Sequence, residues 1–314
     1  MTFTTLASDD SVAAIATDAA GALDDAALSH AVIGLGRFGC VHARKLLALD
    51  GFRLAALVDC SASAPVADEL AKLPLMSGLE ELPPGIESAT IAANDEAHAG
   101  LALALMRRGC HVLVEKPLCV DRRDGLLMIQ SAHQCGLTLA TGHIERFNPV
   151  FDAAMLGRLR NAMTSHRQGS VPFMRFSRCS TRVASAKESV LDLMVHDLDL
   201  FAWLCAVPSE APLEVLERHV GGQSVRARVR LGTLIAEFES GYGGSASARL
   251  QFFEGGREHQ LDLRDDARAQ GHADDALARQ YRAFRQAILG RPSRIASGAD
   301  GLAAVTRACQ VLRA

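Results

Sequence analysis

The sequence has no surplus of positive charge: 33 Lys and Arg stand against 36 Asp and Glu, a formal net charge of −3 with a pI of about 6.4. Phosphate backbones and acidic membrane surfaces are bound through excess Lys and Arg, so nucleic-acid and membrane-surface binding are excluded. It also lacks any apolar run near the roughly 20 residues that a membrane-spanning helix needs. No Lys or Arg precedes Arg37, whereas Asp9, Asp10, Asp18, Asp24 and Asp25 do. Neither a secretory leader nor an Arg-rich transit peptide fits that pattern, and the chain reads as cytoplasmic. The eight cysteines, Cys40, Cys60, Cys110, Cys119, Cys135, Cys179, Cys205 and Cys309, form no CxxC pair and have no metal-ligand spacing. They read as mostly small core residues, and no metal is expected. The GxSxG elbow of acyl-transfer enzymes is missing too. What is present, 49% hydrophobic and 22% charged residues over 314 positions, gives room for two domains and a small-molecule partner.

Residues 1–28 are rich in Ala, Asp, Ser and Thr and read as an appended arm. From Ala31 short apolar strands alternate with amphipathic helices, the pattern of a parallel sheet wrapped by helices. The predicted strands are Ala31–Ile33, Arg53–Val58, Ala89–Ala93, His111–Val114 and Leu137–Thr141. Helices are predicted around Phe38–Leu49, Glu96–Arg108 and Arg123–Gln134. The sequence therefore predicts an α/β chain: a doubly wound Rossmann domain over residues 29–145, then an α+β domain over 146–314 with an open, mostly antiparallel sheet. In the second domain Val225, Ala227, Val229 and Leu231 alternate with Arg226, Arg228 and Arg230, the period of a strand with one apolar face. A turn at Gly232-Thr233 puts Arg228 opposite Glu237 and Arg226 opposite Glu239, so cross-strand pairing accounts for the arginine row. A helical stripe of Leu277, Tyr281, Phe284 and Ile288 stops at Gly290 and Pro292, and a last helix follows from Asp300.

Gly34-Leu35-Gly36-Arg37-Phe38-Gly39 is a GxGxxG between a predicted strand and a predicted helix. Gly34 permits the tight turn, Gly36 lets a pyrophosphate approach the backbone, and Gly39 lets helix and strand pack closely. The helix N-terminus then offers free N–H groups to phosphate. Twenty residues after Gly39, Asp59 ends the second strand, where its carboxylate can hold a ribose diol and repel a 2′-phosphate. NAD is the expected cofactor; Arg37 and Ser61 leave NADP open.

Glu115-Lys116-Pro117 falls at the carboxyl end of the fourth strand, the edge where open α/β sheets bind ligands. A lysine there can hold a substrate oxygen, or can be a solvated strand-end charge. Pro117 restricts Lys116 to extended backbone and admits a cis bond. In the predicted helix Leu191–Leu204, Asp192, His196 and Asp199 fall at i, i+4 and i+7 among apolar neighbours. Burying such groups unpaired is costly, which favours a site, with a surface Asp/His pair as the plainer reading. A neighbouring carboxylate raises an imidazole's pKa toward what a proton acceptor needs. His143, Arg146 and Asn148 follow the fifth strand and are expected to face the same cleft as substrate contacts. Asn94 and His98 are cofactor candidates by position, although Asn94 and Asp95 suit helix caps and His98 a first helical turn. Trp203 reads as core.

The glycine turn, Glu115-Lys116-Pro117 and Asp192/His196, in that order, make the chain from about residue 29 onward resemble the Gfo/Idh/MocA oxidoreductases. The resemblance implies that Lys116 binds the reacting hydroxyl, His196 takes its proton and Asp192 holds the substrate. It also implies a dimer or tetramer through the second domain's sheet. Within the family, Gly142-His143-Ile144-Glu145-Arg146-Phe147-Asn148-Pro149 and Asp192–Asp199 look most like the UDP-N-acetylglucosamine 3-dehydrogenase type. Departures fall beside the site: Ala186-Lys187-Glu188-Ser189 stands where glycines are usual, Asn94-Asp95 replaces Thr-Pro, and the region Gly256–His272 is short. The expected reaction is hydride transfer between NAD and a secondary hydroxyl of a sugar or nucleotide sugar. A reductase of another carbonyl, imine or unsaturated ring, and a sensor without turnover, stay open.

Overall fold

The computed structural model describes residues 26–61, 68–165, 172–264 and 274–314. The arm expected over residues 1–28 falls outside this set up to residue 25, and Leu28 already belongs to a strand.

The first layer is a sheet of β1 (Leu28–Ile33), β2 (Phe52–Val58), β3 (Leu75–Met76), β4 (Ser88–Ile91), β5 (His111–Glu115) and β6 (Leu139–Gly142), all parallel in the order β6-β5-β4-β1-β2-β3. Three helices cross between its strands: α1 (Arg37–Leu47), α2 (His98–Arg107) and α3 (Arg122–Cys135). The strands are apolar on both sides because helices cover both faces, which is why they read as continuous hydrophobic runs. α3 starts where the Asp121 carboxylate accepts the Arg123 N–H at 2.6 Å and stops at Gly136, whose φ of +65° few other residues adopt.

The second layer begins with α4 (Ala153–Ser165) and β7 (Met174–Ser180). One helical turn at Ala186–Glu188 leads into a π-helical stretch, Ser189–Met194, and then α5 (Val195–Leu204). Strands β8 (Leu213–Gly221), β9 (Ser224–Leu231), β10 (Leu234–Tyr242), β11 (Ser247–Glu254) and β12 (Arg257–Asp262) complete a sheet of order β12-β11-β7-β10-β9-β8, in which only the β7/β10 pair is parallel. α5 lies on one face of this sheet, where Phe176 stacks on Phe238 with centroids 5.1 Å apart and Phe201 meets Phe238 edge-on at 5.9 Å. Full burial of each ring stabilises by roughly 2–3 kcal/mol, so these contacts fix where α5 sits.

The chain then returns to the first layer. Helix α6 (Ala276–Ile288) packs Leu277, Tyr281 and Phe284 against β1, β2 and α1. Strand β13 (Ala296–Ser297) adds antiparallel to β6, and α7 (Gly298–Arg313) begins in a capping box of Ser297 and Asp300. The first domain, expected to close at residue 145, thus also uses residues from the chain's last forty, because the apolar stripe of α6 finds its complementary surface there.

The β9/β10 register is the expected one, with Arg228 opposite Glu237 and Arg226 opposite Glu239. Only Arg226 pairs as expected, at 2.9 Å from Glu239. Arg228 turns to Glu217 on β8 at 3.4 Å, and Glu237 holds Arg175 on β7 at 2.8 Å, because each central strand has two neighbours. Of the cysteines, Cys60 and Cys135 are exposed rather than in the core.

Candidate active site

Strand β1 ends in the glycine turn. Gly34 has φ +89°, and a Cβ there would lie within 2.8 Å of the Ala92 and Ala93 backbone. A Cβ on Gly39 would sit 1.7 Å from the Gly34 carbonyl oxygen, so α1 packs against the turn only with glycine there. Gly36 is different: a Cβ would meet nothing within 4 Å, and the N-terminus of α1 above it has no side-chain cap. Open space before free N–H groups at an eleven-residue helix is the cradle that a dinucleotide pyrophosphate requires. Arg37 and Phe38 are exposed beside it, with the guanidinium 5.4 Å from the ring centroid. Leu35 contributes only backbone, since its side chain is buried core. Its N–H donates to Asp59 Oδ2 at 2.6 Å, while Asp59 Oδ1 accepts from the Ser61 N–H at 2.8 Å. The carboxylate is thereby fixed at the end of β2, half-exposed, where a ribose would lie.

Glu115 ends β5. Its Oε1 is hydrogen bonded to His42 Nε2 at 3.0 Å, and the other ring nitrogen of His42 meets the Tyr281 hydroxyl at 2.8 Å. Burial pushes the Glu115 carboxyl up, but the His42 hydrogen bond and the charges of His42 and Lys116 outweigh it, leaving the group below its usual value. Gly142 is needed beside it, since a Cβ there would come within 2.5 Å of Oε1. The Lys116-Pro117 bond is cis. Lys116 Nζ reaches across to the second layer, donating to Asp192 Oδ1 at 2.5 Å and to the Asp192 carbonyl at 3.3 Å.

Asp192 lies in the π-helical stretch rather than in a regular helix. π turns recur at functional sites because they re-aim side chains that a regular helix would carry elsewhere. Tyr242 at the end of β10 donates to its Oδ2 at 2.7 Å, and Arg182 Nη1 lies 3.3 Å from the same oxygen while its guanidinium covers the tyrosine ring. Burial raises the Asp192 carboxyl, but Lys116, Tyr242 and Arg182 together keep it ionised below the ordinary range. His196, half-buried, follows four residues later on α5, its ring edge-on to His143 with centroids 6.3 Å apart. His143 is 2% exposed and neither ring nitrogen has a hydrogen-bond partner. Burial holds its pKa low, so a neutral imidazole sits beside His196.

Two other candidates lie elsewhere than expected. Arg146 is buried in a bidentate pair with Asp199, at 2.6 and 2.8 Å, and 3.4 Å from Asp300. Asn148 is buried and donates to the Leu263 carbonyl at 2.9 Å. Both brace the junction instead of facing the cleft. His98 is buried between the Pro117 carbonyl at 2.8 Å and the Ala93 carbonyl at 3.2 Å, so it ties two loops of the cleft from behind. Asn94 is exposed at the rim and gives its side chain to no helix cap. Sequence reasoning missed Tyr242, Arg182 and His42. It also missed Asp197, buried against Arg178, whose guanidinium holds Asp197 and Glu145 at 2.8 Å each. Among the described residues no cluster of His, Cys, Asp and Glu could hold a metal ion, and no helix is long and apolar enough to cross a membrane.

Residues 28–143 match the model of an oxidoreductase family with an NAD-binding Rossmann fold, Gfo/Idh/MocA. This region of the chain is similar to that family. The UDP-N-acetylglucosamine 3-dehydrogenase of Acidithiobacillus ferrooxidans is 30% identical over 210 residues, covering 64% of this chain and 60% of that enzyme. Myo-inositol dehydrogenase Hyg17 of Streptomyces leeuwenhoekii is 31% identical over 186 residues, 55% of this chain and 54% of that one. The chain thus aligns with only 54–60% of the length of these two relatives. A solved structure of the Acidithiobacillus enzyme superposes with a TM-score of 0.73 at 25% identity, over 92% of this chain and 97% of that one. GenD2 from gentamicin A biosynthesis, solved in complex with NAD, has the same fold, with a TM-score of 0.75 at 18% identity over 91% and 93% of the two chains. The family's cofactor fits the glycine turn described above.

Proposed function

We propose that this chain is an NAD-dependent dehydrogenase acting on a secondary hydroxyl of a sugar or nucleotide sugar. The observation that carries the reading is the contact of Lys116 with Asp192 across the two layers, at the carboxyl end of β5 on the same sheet edge as the glycine turn. Gly34, Gly36, Gly39, Asp59 and Glu115 would hold NAD; when bound, NAD supplies the hydride acceptor. Lys116 donates a hydrogen bond to the substrate oxygen and stabilises the charge that develops on it. Asp192, kept ionised by its neighbours, orients Lys116 and the sugar. His196 takes the hydroxyl proton on a ring nitrogen. Arg146, Asn148 and His98 act as positioning residues under this cleft.

Arg182, two-thirds exposed at the mouth, supports a substrate with a negatively charged part. The Acidithiobacillus relative favours the nucleotide sugar over a free polyol. UDP-N-acetylglucosamine and myo-inositol are therefore the first two probes, with NAD reduction as the readout. A dimer or tetramer through the second sheet belongs to the same reading, and light scattering of the purified chain checks it.

General-base help is worth about 10² to 10⁴ in rate, so His196→Ala should lower turnover by that factor while NAD still binds with its parental affinity. Parental turnover in that variant removes His196 from the mechanism. Tight sugar binding by the parent chain, with no hydride exchange in either direction, replaces the enzyme with a sensor.

A further inference from the structure

We propose that the chain carries a second ligand site, separate from the cleft of Lys116 and Asp192, for a small organic carboxylate whose head lies on Arg307 and whose body lies along Trp203. The site is a cavity of about 310 Å³ between α5, the loop after it and α7, lined by Arg146, Asp199, Trp203, Val207, Asp300 and Arg307. Trp203 is seven residues beyond His196, about 10 Å further along the helix. The volume is that of a small-molecule pocket.

Arg307 carries the argument. It is 4% exposed, and its Nη2 donates to the carbonyls of Pro208 at 3.0 Å and Ser209 at 3.3 Å, yet its Nε has no acceptor. The carboxylates on the cavity are already engaged. Asp199 holds both arms of Arg146, and Asp300 accepts from the Ser209 hydroxyl at 2.6 Å while capping α7 through Ser297. Burial, with Arg146 nearby, lowers the arginine's pKa even though Asp199, Asp300 and Glu210 oppose it. Arginine stays protonated near neutrality, so this buried cation is hydrogen bonded to neutral carbonyls while the nearby carboxylates are bonded elsewhere. A carboxylate in the cavity that Arg307 lines would give the guanidinium a directly bonded opposing charge, which the carbonyls do not supply.

The rest of the wall sets the guest's size and charge. Arg146 and Arg307 against Asp199 and Asp300 sum to zero, so one added negative charge is tolerated better than several. Ala202, Trp203 and Val207 form an apolar side. Arg294 covers one face of the indole at 5.0 Å, and Phe151 meets it at 6.2 Å, which holds the ring in place against the cavity. A single negative head with an aliphatic or cyclic body matches this lining.

Trp203 is the chain's single tryptophan and reports on the cavity directly. The full chain is titrated with sodium cyclohexanecarboxylate at constant ionic strength, with its emission followed. A saturable change is expected, with a midpoint at least tenfold higher in Arg307→Gln and unmoved in Lys116→Ala. If circular dichroism shows that Arg307→Gln does not fold, Val207→Phe, which fills the cavity and keeps the arginine, should abolish saturation. An unsaturable response in the parent overturns the site, as does a parental midpoint in either cavity variant. An equal response to neutral cyclohexylmethanol or to inorganic phosphate overturns the choice of a carboxylate. The site does not rest on the proposed reaction: failure of the His196 test would leave this titration unchanged.

Discussion

Two buried polar networks support the two halves of the candidate site, and they are built differently. Under the first layer a largely neutral relay runs from Ser88 through His30 and Thr90 to Tyr281 and His42, with contacts of 2.8–2.9 Å, and ends on the Glu115 carboxylate at 3.0 Å. Under the second layer the supports are ionic: Arg178 with Asp197 and Glu145, and Arg146 with Asp199 and Asp300. Hydroxyls and imidazoles can be desolvated at modest cost, and each loses little when one partner leaves. Buried ion pairs tolerate their environment only as complete sets, because a lone buried charge cannot recover its hydration. The second network therefore fixes geometry more strictly and is more fragile.

The sharpest way to break this comparison is Arg178→Met, which leaves two carboxylates buried without their cation. It should cost about 3–5 kcal/mol in denaturant unfolding. A loss below about 1 kcal/mol would show that the ionic network is no more demanding than the neutral one.

Acid should reach the neutral network next. Burial, helped by nearby His42, lowers the His30 pKa from its usual 6.5 to about 3, and burial also lowers His143 and His111. A folded pKa below the unfolded one means that the unfolded chain binds the extra proton. The share due to His30 is therefore fully present above about pH 6.5 and is lost as pH falls toward 3. His30 contributes about 1.4 kcal/mol per pH unit in that window. His30→Gln should flatten the unfolding free energy between pH 6 and 5 by about that slope; an unchanged slope would mean that His30 is already protonated in the fold.

Tyr281→Phe should have the smallest effect, about 1 kcal/mol, for the loss of one hydroxyl between His42 and Thr90. Its more informative readout is NAD affinity, which should fall only slightly if the relay merely steadies Glu115.

How much of this was legible in the sequence follows the same division. The glycine turn could be read because backbone geometry demands glycine at Gly34 and Gly39, and Lys116 could be placed because a strand end is a local property. The pairing of β9 with β10 was legible from alternation, yet the partner of Arg228 was not, since β8 on its other side enters only through topology. Arg146 and Asn148 have the residue types of substrate contacts; burial beside Asp199 and Leu263 decided otherwise. Tyr242 sits fifty residues from Asp192, and no local pattern links them.

By itself the sequence determined the alternating strands and helices, the cofactor turn and the residue types that meet at the cleft, because periodicity and backbone strain act within a few neighbouring residues. Only the tertiary structure decided which charges face that cleft and which brace it, that the final helices return to the first sheet, and that Arg307 is buried beside an open cavity. Those outcomes depend on desolvation and long-range packing, which arise only when distant segments are brought together.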